Sequence, residues 1–193
     1  MIQVYHIAFA LSIAFCSSET KGGKCIIMNK KQETNAFVRD CITTALLQFM
    51  SEKPISETSI IELIERAGVA RVSFYRNFTS KENVIEVYLT TLIEEWNKDF
   101  KELGDTSKFS DSLIRHFYKH KDFYLMLYKQ NLSNMIYENL RSACEVNKSN
   151  VNLERYGKSM LAGMLFGWLD EWMRQGMPES PDEIALLSNQ INT

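Results

Sequence analysis

Apolar residues fall at helical spacing along nearly the whole chain. Over residues 34–53, Phe37, Ile42, Ala45, Leu46 and Phe49 line one side of a helix, which Thr34 or Asn35 can start and Pro54 stops. Ile60, Ile61, Leu63 and Ile64, with Glu62, Glu65 and Arg66 between them, predict a short helix with one buried face. Ala67-Gly68 breaks it, because glycine takes the positive φ that ends a helix. A second short helix begins after Val69, with Val72, Tyr75 and Phe78 recurring every third residue. Two short helices about a tight glycine turn form a helix-turn-helix, whose second helix can lie in a DNA major groove. A packing corner in any all-α protein carries the same pattern.

The pattern continues as helices to the end. A long one opens at Ser80 and runs through Val84, Ile85, Tyr88, Leu89, Leu92, Ile93, Trp96 and Phe100 to Leu103-Gly104. Its stripe is too long for a three-helix head, so it connects to a second domain. Short helices follow over residues 110–120, 122–129 and 132–146, then a polar loop over 147–152. Residues 153–175 form a helix apolar on almost every side, which requires more than one packing partner. Gly176 ends it, and Ser180-Pro181-Asp182-Glu183 starts a last helix with acids near its positive end. The predicted class is all-α: a helix-turn-helix unit over residues 29–85 and a helical effector-binding and dimerisation domain over 86–193.

Charge sharpens the picture. Between Ala70 and Lys81 the charged residues are Arg71, Arg76 and Lys81, whereas the preceding segment carries Glu57, Glu62 and Glu65. The basic side is the one a groove-entering helix presents to phosphates. Over 193 residues the formal net charge is only −2, so nucleic-acid binding must come from a local patch. Three prolines argue against a disordered or all-β chain.

Residues 1–28 differ from the rest. The apolar run over residues 2–16 is too short to span a bilayer, has no Lys or Arg before it and lacks a small-x-small cleavage site. It reads as a non-native or mis-assigned extension rather than a targeting segment, with Met28-Asn29-Lys30-Lys31 as the natural start. Cys16, Cys25, Cys41 and Cys144 show no paired spacing, which suits a reducing cytoplasm and makes no metal or redox motif; Cys41 is expected to face the core.

Ala67-Gly68-Val69, Ala70, Arg71, Val72, Ser73, Phe74 and Tyr75, followed by Phe78 and Ser80-Lys81-Glu82, form one continuous string. It resembles the TetR family of bacterial transcriptional regulators, over roughly residues 34–90. There are two departures. Val72 and Ile64 stand where the family has smaller residues, and Val72 bears on which base edge is read. Ala70 cannot cap the second helix as serine would, a local loss of about 0.5–2 kcal/mol.

The resemblance implies a one-component DNA-binding regulator: a homodimeric repressor released from a double-stranded operator by a small molecule. Arg71 and Ser73 are then expected to reach base edges or phosphates, with Val72 beside them. Tyr75, Thr58 (as N-cap of the first short helix) and Lys81 are expected to fix the register on phosphates, and Arg76 to add charge at the groove edge. Trp172 with Gly176 and Ser180-Pro181 is similar to the family's C-terminal pair, which meets its two-fold mate as a four-helix bundle. Leu161, Gly163, Leu165, Gly167, Trp172, Ile184 and Leu187 are the candidate dimer residues, the alternative being burial by another helix of the same chain. Trp96, Phe117, Tyr118, Tyr124, Tyr128, Met160, Met164 and Trp168 are candidates to line a pocket for an apolar or aromatic effector. The same residues also suit a plain core.

No enzyme motif stands out, and no cofactor is called for. His116 and His120 have a zinc-compatible i, i+4 spacing but no third ligand nearby, and between Lys119 and Lys121 they read as a solvated face. A second function of a different class keeps the fold: a helical adaptor that regulates by protein contact instead of DNA. Salt dependence of DNA binding separates the two.

Overall fold

The computed structural model describes residues 30–148 and 150–191, so the expectation for residues 1–28 lies outside the described residues. Among the described residues every regular element is a helix. They fall into two compact units, divided between Thr91 and Leu92.

The first unit holds α1 (Lys30–Glu52), α2 (Ile60–Ala67), α3 (Arg71–Asn77) and the opening turns of α4 (Lys81–Leu103). α1 starts ahead of Thr34 and Asn35, because Lys30, Lys31, Gln32 and Glu33 are all adequate helix formers. Ile42, Ala45, Leu46, Phe49 and Met50 form its buried face, against α2 and α3. Phe37, expected on that face, is 68% exposed: at 3.6 residues per turn it falls out of phase with the others. On α2 only Leu63 is fully buried, and Ile61 points outward. Phe74 and Phe78 of the α3 segment complete the core with Val84, Ile85 and Leu89 of α4. Each such side chain contributes about 1.5–3 kcal/mol as an upper estimate.

The second unit holds the rest of α4, then α5 (Phe109–Lys119), α6 (Lys121–Lys129), α7 (Ser133–Ala143), α8 (Asn152–Arg174) and α9 (Pro181–Ile191). α8 packs on α6 and α7, and α9 on α5. Gly104 at φ 68° follows α4 and Gly176 at φ 84° follows α8, both in the left-handed region that glycine adopts freely. At α9, Ser180 and Glu183 exchange a capping box, the Glu183 carboxylate accepting from the Ser180 amide at 2.7 Å. Asp182 in the same turn accepts from Arg115 of α5 at 2.5 Å, tying the last helix to the unit.

Candidate nucleic-acid interface

The turn begins with a cap that the sequence reading put one residue too early. Ser59, not Thr58, is the N-cap of α2: its hydroxyl accepts from the Glu62 amide at 3.1 Å, and Glu62 accepts from the Ser59 amide at 2.8 Å. Only Ser59 stands three residues before a glutamate, which the reciprocal capping box requires. Thr58 instead closes the 3-10 turn Ile55–Glu57. It is 1% exposed, and its hydroxyl has no hydrogen-bond partner among the described residues. A side chain so placed cannot reach a phosphate.

Gly68, at φ 65°, sends the chain from α2 into α3, with its amide returning to the carbonyls of Ile64 and Glu65. Ala70 is the N-cap of α3 and offers no side-chain bond, as its methyl group dictates. Phe74 is fully buried and Phe78 nearly so, which fixes the rotation of α3 about its axis. The opposite side then presents Arg71, Val72, Tyr75 and Arg76, which line one open groove. Val72 is 66% exposed and Tyr75 50%. The Arg71 guanidinium lies over the Tyr75 ring at 5.7 Å, and Tyr75 stands edge-on to Phe74 at 5.3 Å. Ser73 is half-buried on the flank, outside this groove, and its carbonyl accepts from Asn77.

Lys81 is also elsewhere. Its ammonium donates to the carbonyls of Ile55 (2.7 Å) and Thr58, locking α4 to the start of α2. Orphan carbonyls beside α2 hold the half-buried ammonium against the head.

Charge around the groove is sorted by pairing. Glu52 accepts two bonds from Arg66, at 2.7 and 3.0 Å, while that guanidinium lies 3.5 Å over Phe49. Glu62 takes Lys53 at 2.8 Å; that bond first, then those to Ser59, hold its carboxyl down to about 2. Glu62 and Glu52 are thus neutralised by Lys53 and Arg66, and Arg71 and Arg76 have no carboxylate partner among the described residues. The groove is cationic at its edges and apolar at its centre.

In the second unit the eight effector candidates do not form one group. Phe117 and Tyr124 are fully buried and stacked at 4.3 Å. Trp96 joins them through His116 and donates to Ser112 at 2.9 Å. Tyr128 donates to Asp170 at 2.5 Å on another side of the unit, its hydroxyl held above its ordinary value first by burial. Met164 is half-buried. Tyr118, Met160 and Trp168 are exposed, and Tyr118 stacks on Trp172. His116 departs from the solvated face expected of it: it is 7% exposed and hydrogen-bonded through Nε2 to the Tyr124 hydroxyl at 3.0 Å. Burial, then the charges of His120 and Lys119, push it down to about 3. The neighbouring lysines do not mark its side of the helix, because His116 and Phe117 share the inward side of α5. Among the described residues no group of three metal-ligating side chains assembles.

The dimer candidates also divide. Trp172 and Ile184 are each 6% exposed within a single chain, so they are already covered, Trp172 by Tyr118. Leu161, Gly163 and Leu165 are half-buried, while Gly167 and Leu187 are exposed. They continue an outward apolar stripe, Leu153, Tyr156 and Met160 on α8 with Leu186 on α9, on the helix expected to need more than one packing partner. The i, i+3, i+4 spacing from Leu153 through Gly167 carries it.

No helix among the described residues is long and apolar enough to cross a membrane. No curated protein and no solved structure matches the chain. Family models do: that of bacterial regulatory proteins of the tetR family matches residues 42–88, and that of a transcriptional regulator C-terminal region matches residues 104–193. The first match contains the whole cap, turn and exposed groove, and the second begins as α4 ends. With a helix-turn-helix at one end and a helical unit at the other, the chain belongs to the TetR family of DNA-binding transcriptional regulators.

Proposed function

We propose that the chain is a cytoplasmic homodimeric repressor, with residues 29–85 gripping an operator and residues 86–193 holding a small-molecule effector that releases it. The observation that carries this reading is the exposed side of α3, where Arg71, Val72, Tyr75 and Arg76 stand together without an acid. Arg71 reaches base edges or phosphates, Tyr75 hydrogen-bonds a phosphate, and Arg76 adds charge at the groove edge. Thr58 and Lys81 act indirectly, by bracing α2 and α4.

Two-fold pairing is supported by the outward stripe on α8 and by open space beside Gly163 and Gly167. An apolar or aromatic effector is the reading that family membership favours, with the aromatic cluster around the buried His116–Tyr124 pair as its candidate place. Two heads read DNA only when about 34–36 Å apart, so an effector that binds one spacing more tightly shifts the operator equilibrium.

The test is selection of bound duplexes from a random pool by the full chain, followed by a salt titration of the enriched sequence. A dimer neutralising about 6–10 phosphates should lose affinity by about 10³–10⁵ between 50 and 200 mM salt. Arg71→Ala and Tyr75→Phe should weaken binding without unfolding the protein. Full affinity in both variants, or indifference to salt, would leave the adaptor reading in its place.

A further inference from the structure

We propose that Val72 reads the 5-methyl group of a thymine, received between Arg71 and Arg76. This rests on the assignment of the outer face of α3 to the major groove.

Val72 has no structural reason to be valine. It is 66% exposed on a helix of seven residues, and a β-branched side chain there lowers helix propensity without packing in return. Its neighbours on the same face are the half-exposed Tyr75 and the two arginines. The cation–π contact draws the Arg71 guanidinium toward Tyr75, and Arg76 stands one turn further along the helix from Val72. The result is an apolar spot flanked by positive charge, complementary to a groove whose rims are phosphates.

What such a spot can recognise follows from the chemistry of the base edges. Valine neither donates nor accepts hydrogen bonds, so it is blind to N7, O6, O4 and the exocyclic amines. The C5-methyl of thymine is the one apolar group that base pairs expose in the major groove. The guanidinium groups on either side supply attraction that is indifferent to sequence at that position, and Val72 supplies the choice.

The experiment uses the full chain and two random duplex pools, one made with thymine and one with uracil, which pairs identically but lacks the methyl. The best duplex from the thymine pool is then resynthesised with uracil at one position at a time. One position per half-site should weaken binding about fourfold, the ~0.8 kcal/mol of one buried methyl group. Val72→Ala should still bind DNA but tolerate uracil there within experimental error. Because Val72 is exposed, this variant keeps its fold, checked by its unfolding midpoint. The proposal is overturned if every uracil substitution is silent in the native protein, or if Val72→Ala keeps the preference for thymine. Enrichment of no duplex from either pool is a different failure: it removes the DNA assignment of the face, and this inference with it.

Discussion

Arg39 donates from Nε to Asn77 Oδ1 at 3.3 Å, and Asn77 passes the link on, its Nδ2 donating to the Ser73 carbonyl at 2.8 Å. The first helix of the head thereby holds the last residue of the recognition helix from outside the core. Phe74 sets the rotation of α3 from within, and Asn77 secures its far end. Aim and grip come from different residues, so they can be perturbed separately.

Asn77→Ala removes both bonds at once. Each net hydrogen bond is worth about 0.5–1.5 kcal/mol, so the head should lose about 1–3 kcal/mol of stability. DNA affinity should fall several-fold because the end of α3 is freed. Denaturant unfolding and fluorescence anisotropy with the selected duplex measure the two effects; affinity that stays constant would show the link to be ornamental.

Two adjacent hydroxyls should behave in opposite ways. Ser59→Ala breaks the capping box and should cost about 1 kcal/mol. Thr58→Val replaces a buried, unpartnered hydroxyl with a methyl group of the same shape and should be neutral or stabilising, with DNA affinity unchanged. A marked loss of affinity in Thr58→Val would restore the phosphate contact expected from sequence.

Acid should unsettle the second unit through His116. In the fold its value is depressed from 6.5 to about 3, by burial first. Between those values the unfolded chain binds the proton and the folded chain does not, so stability is full above 6.5 and is lost as pH falls toward 3. The slope is at most about 1.4 kcal/mol per pH unit for one proton. His116→Phe should flatten the thermal midpoint between pH 6.5 and 5, above the range where carboxylates titrate. An unchanged slope would place the sensitivity elsewhere.

If α8 meets its own copy, Gly167→Leu is a clean probe. Within one chain a Cβ at Gly167 meets nothing within 4 Å, and leucine is the better helix former. The variant should keep or gain helix stability yet sediment as a monomer at micromolar concentration. A dimer that survives the added side chain would move the interface off this face.

Much of the head was legible from residue spacing. Gly68 ends α2 through its backbone freedom and the acid-free stretch from Ala70 onward faces outward, but of the spaced residues Val72, Tyr75 and Phe78 only Phe78 turns inward, and Phe74 takes the core position instead. The places of Thr58 and Lys81 have a shared cause. Both are polar and both adjoin the turn, but long-range packing brings Lys81 onto carbonyls 26 and 23 residues away, and Thr58 is buried at 1% exposure. No local pattern encodes that distance.

The second unit divides the same way. By itself the chain determined nearly all its helices, because periodicity, glycine stops and caps act within a few residues of one another. Only tertiary structure decided which polar groups went inside. His116 is buried because Tyr124, on the next helix, answers its ring nitrogen, and Trp172 is covered because Tyr118 stacks on it. Burial of a polar side chain depends on a partner that folding delivers, and that partner need not lie nearby in sequence.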